Sequence, residues 1–383
     1  MHPRKLLFAL APLLLLAVGA ESGARLAGDP PLLAQEGAGT RVGERTLPPD
    51  LMPDPLVGWA PRPLAPISDP NVARAAAGLG RVAGPETPTR HDARGWREAV
   101  PPDAQQGPQV LLVGDSSVWG SGVAWEGTLG RQLARAAAAA GATVDVRVGA
   151  APGWSSVQMM LALDRWLDGG ARPAVVVLYP ANSDQMIARG APDEAWLHGA
   201  QARARPWLGR SVALRWLLHA RDRARPPADG GGPRVRPVAF ASVLRQTLAR
   251  VRAAGAVPVV LVPPSPLDAQ AAPADRVGPI RSPADAARCA TLLQQSHVQP
   301  RPGSLGYRCA MALAAAADGV PLIDGPAAIL GAGTAGGGPY FWDTIHPTAA
   351  GHAVLAAAVW PAVQAALGAA GGAAGAAPPP APG

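Results

Sequence analysis

From about residue 108 onward, apolar runs of strand length alternate with segments that have helical spacing, and this alternation constrains the fold most. The five apolar runs are QVLLVG (109–114), TVDVRVGA (143–150), AVVVLYPA (174–181), VPVVLVPP (257–264) and VPLID (320–324). Helices are predicted over 124–140, 155–168, 206–222, 238–254 and 347–367. Apolar strands separated by helices are typical of a parallel sheet covered on both faces. The sequence therefore predicts an α/β fold, a three-layer α/β/α sandwich on a parallel five-stranded sheet.

Composition divides the chain of 383 residues into four segments. Residues 1–26 are apolar behind a basic start, and residues 27–107 are rich in Pro, Arg and Gly with weak periodicity. The alternating segment, 108–367, is the predicted catalytic domain. The last residues, 368–383, are all Ala, Gly or Pro, a low-complexity composition for which we expect a disordered tail. Segment 27–107 is expected to be an irregular extension of the main domain.

The N-terminus has the organisation of an export signal. Arg4 and Lys5 precede an apolar stretch from Leu6 to Val18, which is short for a membrane span. The small residues at 18–20 are suitable for cleavage by a signal peptidase, although an uncleaved membrane anchor fits the same pattern. We therefore expect export to the periplasm, cell envelope or outside of the cell, with cleavage left open.

The two cysteines, Cys289 and Cys309, are expected to pair as a disulfide in an exported protein, with two buried thiols as the alternative. Two cysteines without a nearby histidine do not form a zinc site, so no metal is predicted. The net charge of +7 is carried almost entirely by scattered arginines. Arginines without a cluster or an aromatic ladder do not indicate nucleic-acid binding, and none is expected.

The stretch LLVGDSSVWGSG (111–122) places an acid and two serines directly after the first strand. A P-loop is excluded because no Lys follows Gly120, and the dinucleotide fingerprint fails because Ser116 stands at its second glycine. The nucleophile elbow of α/β-hydrolases would need Gly at position 118, which is Val. Two interpretations remain from the residues alone. Asp115 or Ser116 caps the following helix, or Ser116 is a nucleophile.

A second polar stretch, YFWDTIHPTAAGHAV (340–354), precedes the last predicted helix. Asp343 and His346 are three positions apart, a spacing that lets the carboxylate orient the imidazole while the other ring nitrogen faces outward. His352 is the alternative histidine, but no acid lies three residues before it and it falls within the predicted helix. We expect His352 to be a packed or surface side chain.

Taken together, GDSSVWGSGV near the first strand and DTIHPT before the last helix resemble the first and last blocks of the SGNH, or GDSL, hydrolases. AAPGWSSVQ (150–158) resembles the second block, LYPANSDQ (178–185) lies where the third belongs, and DPLVGWAPRP with TRHDARGWRE resembles the preamble of exported bacterial members. The resemblance implies a flavodoxin-like SGNH-hydrolase fold and a serine esterase. It implies Ser116 as nucleophile, His346 as base and Asp343 as the orienting acid.

The resemblance also implies an oxyanion hole built from the N–H groups of Ser116 and Gly153 and an Asn side chain from the third block. Here the sequence departs from the family pattern. The family's glycine falls on Ala181 and its Asn on Ser183, while Asn182 stands one position early. Either Asn182 donates to the oxyanion, which its amide chemistry favours, or Ser183 does so with its hydroxyl. A plain turn after a buried strand is the alternative.

No cofactor is expected for this chemistry. The expected substrate is a small acyl ester, such as an O-acetyl group on an envelope glycan. Three tryptophans, Trp119, Trp154 and Trp342, each adjoin a block and are predicted to line a substrate cleft, although burial is the commoner reason for a tryptophan. Transfer of the acyl group to a glycan, and a catalytically weakened binding module of the same fold, remain the alternatives to hydrolysis.

Overall fold

A computed structural model of the chain describes most of the predicted domain and parts of what precedes it. The described residues are 3–28, 32–33, 44–45, 49–54, 56–67, 89–98, 107–186, 188, 192–196, 211–214, 216–217, 220, 232–271, 276–295, 305–333 and 340–374. The helix expected over 206–222 lies mostly outside these residues.

Ten strands are formed among the described residues. They are β1 (Leu32–Leu33), β2 (Glu44–Arg45), β3 (Leu51–Asp54), β4 (Gly58–Pro61), β5 (Arg97–Glu98), β6 (Gln109–Gly114), β7 (Asp145–Ala150), β8 (Val175–Tyr179), β9 (Val257–Leu261) and β10 (Leu322–Ile323). Strands β6 to β10 correspond to the five apolar runs of the sequence, each observed strand lying within its predicted range.

The main sheet has the order β10-β9-β8-β6-β7-β5. Strands β6 to β10 are parallel to one another, whereas β5 pairs antiparallel with β7 at the edge of the sheet. Counted from β6, the parallel strands follow the order 2-1-3-4-5, which is the flavodoxin-like order. The predicted parallel five-stranded sheet is confirmed, with one short antiparallel strand added from the N-terminal extension.

Helices cover both faces of the sheet. They are α1 (Pro3–Ala27), α2 (Ser116–Trp119), α3 (Leu129–Ala139), α4 (Ser156–Asp168), α5 (Asp193–Trp196), α6 (Pro237–Ala253), α7 (Pro283–Gln295), α8 (Leu305–Asp318), α9 (Gly325–Gly331) and α10 (Ala349–Ala374). Buried side chains of α4, α6 and α8 lie in one core, and those of α3 and α10 lie in a second. The predicted three-layer sandwich is therefore confirmed.

Each strand supplies both cores because successive side chains of a strand point to opposite faces. In β6, Leu111 and Val113 belong to the core with α4 and α6, whereas Val110 and Leu112 belong to the core with α10. These strands are buried on both faces, which explains why they are continuous apolar runs rather than alternating ones.

The described parts of the N-terminal extension are packed into the domain. Strands β3 and β4 form an antiparallel hairpin, and β5 joins the main sheet through the pair Arg97 and Val148. Val57 and Trp96 are 0% and 1% exposed and belong to the core with α4 and α6. The extension expected to be irregular thus contributes a hairpin, an edge strand and core side chains.

Helix α10 extends past its predicted end at 367 and continues to Ala374. The first part of the segment expected to be disordered is therefore helical, and residues 375–383 lie outside the described ones. Among the described residues, one helical stretch, Ala349–Ala369, is long and apolar enough to cross a membrane. Its buried side chains, including Leu355 and Val363, pack in the core with α3, as expected of a core helix.

The expected disulfide between Cys289 and Cys309 is present and joins α7 to α8. The Cα atoms of the two residues are 4.8 Å apart. Both side chains are buried in a small third apolar cluster with Val277 and Ala312. The bridge thus ties together two helices at the side of the domain that contains β10.

Candidate active site

The turn after β6 places Ser116 at the first position of the short helix α2. Gly114 ends the strand where a Cβ atom would lie 2.3 Å from the Val118 side chain, so this turn has no room for a larger residue. Asp115 is the N-cap, and its carboxylate accepts a hydrogen bond from the Ser117 N–H at 3.0 Å. The two interpretations of this stretch, a helix cap and a nucleophile, are therefore compatible. Asp115 caps the helix and leaves the Ser116 hydroxyl free to meet another side chain.

That side chain is His346, which lies 230 positions further along the chain. The His346 Nε2 atom is 2.8 Å from the Ser116 hydroxyl, and its Nδ1 atom is 2.5 Å from the Asp343 carboxylate. The three side chains predicted to act together thus form one continuous hydrogen-bonded row. The Ser116 residue is 7% exposed, so the row lies just beneath the surface.

Asp343 is held as a carboxylate by its surroundings. Its Oδ1 atom accepts the backbone N–H groups of Ile345 and His346 at 2.8 and 2.7 Å, leaving Oδ2 for the imidazole. Burial acts to raise the pKa of Asp343, but the hydrogen bond and charge of His346 and these two N–H groups together hold that pKa below its usual value. An ionised carboxylate fixes the proton of His346 on Nδ1 and leaves Nε2 as the base.

The sheet brings the first three blocks to one edge. Gly114 pairs with Ala150 of β7 on one side and with Tyr179 of β8 on the other, so the three following loops start at the same level. The strand order reverses between β6 and β8, and ligands of open α/β sheets bind outside the carboxyl ends of the strands at this point. The Ser116, Gly153 and Asn182 loops therefore surround one crevice.

The third block forms a turn that is closed by Asp184. Ala181 has φ of +91°, a conformation that favours glycine, at the position where the family pattern has glycine. The Asp184 carboxylate accepts the Ala181 N–H at 3.1 Å and the Ser156 hydroxyl at 2.6 Å, joining the third block to the second. Burial raises the pKa of Asp184 to about 7, although the hydrogen bonds from Ser156 act to lower it.

Asn182 and Ser183 point to different parts of the site. The Asn182 side-chain amide donates to the Ser117 hydroxyl at 3.1 Å, beside Ser116. The Ser183 hydroxyl donates instead to the Asp115 carboxylate at 3.2 Å and is fully buried, with 0% exposure. The geometry therefore places the amide next to the Ser116 loop and uses the Ser183 hydroxyl to satisfy the helix cap.

Gly153 has φ of +75°, which a residue with a Cβ atom rarely adopts. Within the described part of the chain, the backbone N–H groups of Ser116 and Gly153 donate to no protein acceptor. Backbone N–H groups without a protein acceptor are available to donate to a developing oxyanion.

The three tryptophans predicted to line a cleft have different environments. Trp119 is 5% exposed and Trp154 is 0% exposed, so the cleft prediction is wrong for both, because packing in the cores removes them from solvent. Trp342 is only partly buried and stacks on the His346 ring, with ring centroids 4.9 Å apart and planes inclined by 12°. It is the one of the three that lies beside the reactive row.

Two side chains without an expected catalytic role, Ser117 and His352, support this site. The Ser117 hydroxyl donates to the Ile345 carbonyl oxygen at 3.1 Å, which connects the first block to the loop of His346. His352 is 1% exposed and lies 3.1 Å from the Ser117 carbonyl oxygen, so it packs under α2, as expected for a buried side chain. Ser117 could have been noticed beside Ser116, but nothing in the local sequence indicated the contact of His352.

Among the described residues, no group of three or more His, Cys, Asp or Glu side chains is arranged to hold a metal ion.

Comparison with known proteins gives one match to a family and several to solved structures. The model of the GDSL-like Lipase/Acylhydrolase family matches residues 112–354. A search of the curated proteins finds no match. Among solved structures, TesA is 17% identical over 67% of this chain and 99% of its own, with a TM-score of 0.40. The psychrotrophic esterase EstA from Pseudoalteromonas sp. is 12% identical over 68% of this chain and 100% of its own, with a TM-score of 0.39.

The lipase/acylhydrolase from Enterococcus faecalis is 14% identical over 68% of this chain and 96% of its own, with a TM-score of 0.40. The family match carries the assignment, since it extends from the strand before Ser116 to the helix after His346 and covers well over half of the chain. This chain therefore belongs to the GDSL-like lipase/acylhydrolase family, whose members are hydrolases.

Proposed function

We propose that this protein is an exported serine esterase that hydrolyses a small acyl ester through Ser116, His346 and Asp343. The observation that carries the proposal is the continuous row from the Ser116 hydroxyl through His346 to the Asp343 carboxylate, with contacts of 2.8 and 2.5 Å. A nucleophile within hydrogen-bond reach of a base, which is in turn oriented by a third group, is the arrangement that acyl transfer to serine needs.

In the proposed mechanism, the Ser116 hydroxyl oxygen attacks the ester carbonyl while His346 Nε2 takes its proton. The carbonyl oxygen becomes an oxyanion, stabilised by the N–H groups of Ser116 and Gly153 and by the Asn182 amide. His346 then gives its proton to the leaving alcohol, and the acyl group stays on Ser116. Water, deprotonated by His346, attacks this acyl-enzyme, and the acid leaves as the proton returns to Ser116.

Asn182 is the proposed third donor because the Ser183 hydroxyl already donates to another group. The Ser183 hydroxyl donates to the buried Asp115 carboxylate. If this hydroxyl turned to the oxyanion instead, the buried carboxylate would lose a hydrogen bond. The Asn182 amide donates to a neutral hydroxyl, that of Ser117, and its NH₂ group has a second N–H, which we assign to the oxyanion.

The proposed substrate class is an acetyl or other short acyl ester, with O-acetylated envelope glycan as the physiological candidate. Trp342 supports a sugar-bearing substrate, since its partly buried ring stacks beside His346 where the leaving alcohol would lie. The proposed location is the cell envelope. It is supported by Arg4 and Lys5 before the apolar stretch and by a helix α1 that continues without a break through the small residues at 18–20.

The experiment that tests this function is labelling of the purified protein with a fluorophosphonate probe, together with turnover of p-nitrophenyl acetate. We expect the wild-type protein to be labelled at Ser116, and Ser116→Ala to lose labelling and at least about 10⁴-fold in turnover. Ser242→Ala is the matched control, since it removes a serine hydroxyl from helix α6, which lies outside the proposed site. Labelling or near-normal turnover in Ser116→Ala would refute the assignment.

A further inference from the structure

The loop that contains Gly153 is held on both sides of the glycine by contacts to its carbonyl oxygens. The indole Nε1–H of Trp59 donates to the Pro152 carbonyl oxygen at 2.9 Å. The guanidinium of Arg234 donates to the Gly153 carbonyl oxygen at 2.5 Å. Trp59 lies in β4 of the N-terminal hairpin, 93 positions before Pro152, so the first contact joins two distant parts of the chain.

The contact from Trp59 determines the direction of the Gly153 N–H. The Pro152 carbonyl and the Gly153 N–H belong to the same planar trans peptide, in which they point in opposite directions. Holding the carbonyl oxygen on one side therefore aims the N–H to the other side. Without that contact, a peptide next to a glycine could rotate at low cost, because Gly153 tolerates φ values of either sign.

We propose that Trp59 is a positioning residue that aims the Gly153 N–H at the oxyanion, and this inference rests on the proposed function. An oxyanion donor contributes most when it is already aligned before charge develops, since no reorganisation is then needed in the transition state. The N-terminal hairpin is thus part of the catalytic apparatus, although it touches no reacting atom.

Trp59 is itself firmly placed. The indole N–H of Trp154 donates back to the Trp59 carbonyl oxygen at 2.9 Å, so the hairpin and the Gly153 loop exchange two indole-to-carbonyl bonds. The guanidinium of Arg234 lies over the Trp59 ring, 5.8 Å from its centroid. Arg234 forms an ion pair with Asp193 at 2.7 Å, and the two side chains are 1% and 0% exposed. A buried and paired cation moves little, which keeps the ring beneath it in place.

The test is Trp59→Phe, which keeps an aromatic ring and removes the N–H. Removing a whole oxyanion donor costs about 100- to 1,000-fold in kcat, and a misaligned donor should cost part of this, about 10- to 100-fold. We expect KM for p-nitrophenyl acetate to stay within about threefold, because the donor acts on the charged transition state. The affinity for a trifluoromethyl ketone, whose adduct carries the oxyanion, should fall by the same factor as kcat.

Trp96→Phe is the matched control. Trp96 belongs to the same N-terminal segment and the same core and is 1% exposed, but its indole nitrogen has no hydrogen-bond partner among the described residues. It should lower the melting temperature without changing kcat. If Trp59→Phe does not fold, replacement of Trp59 by benzothienylalanine exchanges the N–H for sulfur in a ring of nearly the same shape and gives the same readouts.

The outcomes are separable. Wild-type protein that is labelled and active, with a Trp59→Phe kcat and ketone affinity equal to wild type, overturns the positioning role and leaves the esterase proposal standing. Equal kcat losses in Trp59→Phe and Trp96→Phe overturn it as well, because the effect would then be general destabilisation. Wild-type protein that is neither labelled nor active overturns the proposed function and this inference with it.

Discussion

The Asn182 side-chain amide lies 3.1 Å from the Ser117 hydroxyl oxygen, so the displaced asparagine of the third block reaches the residue beside the proposed nucleophile. The same hydroxyl donates to the carbonyl oxygen of Ile345, next to His346. One serine thus connects the loops that carry the proposed oxyanion donor, nucleophile and base. Because this serine keeps three loops in register, the position of Asn182 relative to Ser116 is set by hydrogen bonds rather than by chain proximity.

For the oxyanion donor, we expect Asn182→Ala to lower kcat by about 100-fold or more, since a donor to the transition state is lost. Ser183→Ala should cost less in kcat and more in stability, about 1–3 kcal/mol, because it removes a hydrogen bond from the buried Asp115 carboxylate. Steady-state kinetics and thermal unfolding of both variants measure the two effects. A larger kcat loss in Ser183→Ala would move the oxyanion role to that hydroxyl.

For the orienting acid, Asp343→Asn should lower kcat by about 10⁴-fold with little change in fold. The amide can keep an acceptor oxygen for the N–H groups of Ile345 and His346, but its NH₂ group would face His346 Nδ1 and favour the wrong tautomer. Turnover of p-nitrophenyl acetate and circular dichroism measure activity and folding. Activity within tenfold of wild type, in a folded variant, would show that Asp343 does not orient His346.

For pH dependence, one informative group is His91, which is 0% exposed and packs against Trp119 with the ring planes inclined by 45°. Burial lowers its pKa from 6.5 to about 4. The unfolded chain therefore binds a proton between these values that the folded chain does not, so the stability from neutral His91 is complete above pH 6.5 and is lost as pH falls toward 4. The shift corresponds to roughly 3 kcal/mol.

We expect His91→Phe to reduce the dependence of the melting temperature on pH between 6.5 and 4, with a remaining slope from His352, whose pKa burial also lowers to about 4. The variant keeps a ring against Trp119 and loses the hydrogen bond to the Arg62 carbonyl oxygen, which lowers the melting temperature by a similar amount at every pH. Thermal unfolding at several pH values separates the slope from this offset. An unchanged slope would show that His91 does not titrate on unfolding in this range.

For the disulfide, Cys289→Ser combined with Cys309→Ser should destabilise the domain by about 3 kcal/mol, as expected for a bridge that closes a loop of this size. Esterase activity at low temperature should persist, since neither cysteine belongs to the proposed site. Denaturant unfolding of the variant and of wild type with and without a reductant measures the cost. Equal stability of all samples would contradict a structural role for the bridge.

The sequence was sufficient for the sheet, its parallel direction and the closeness of Asp343 to His346. These follow from local patterns. A strand buried on both faces has to be apolar throughout, a polar residue directly after it lies at the sheet edge, and Asp343 and His346 are close because they are three positions apart. The local pattern left Ser116 as either a helix cap or a nucleophile, and the resemblance to the SGNH hydrolases then favoured the nucleophile.

Only the tertiary structure decided which polar groups meet, because those contacts join segments far apart in the chain. The choice between Asn182 and Ser183 depends on the turn that starts at Ala181, whose φ of +91° sends neighbouring side chains to different partners. Trp59 donates to Pro152 across 93 positions, and no local sequence pattern predicts such a contact. The burial of Trp154 was likewise decided by packing, since the local sequence around a tryptophan does not distinguish a side chain that lines a cleft from one that fills a core.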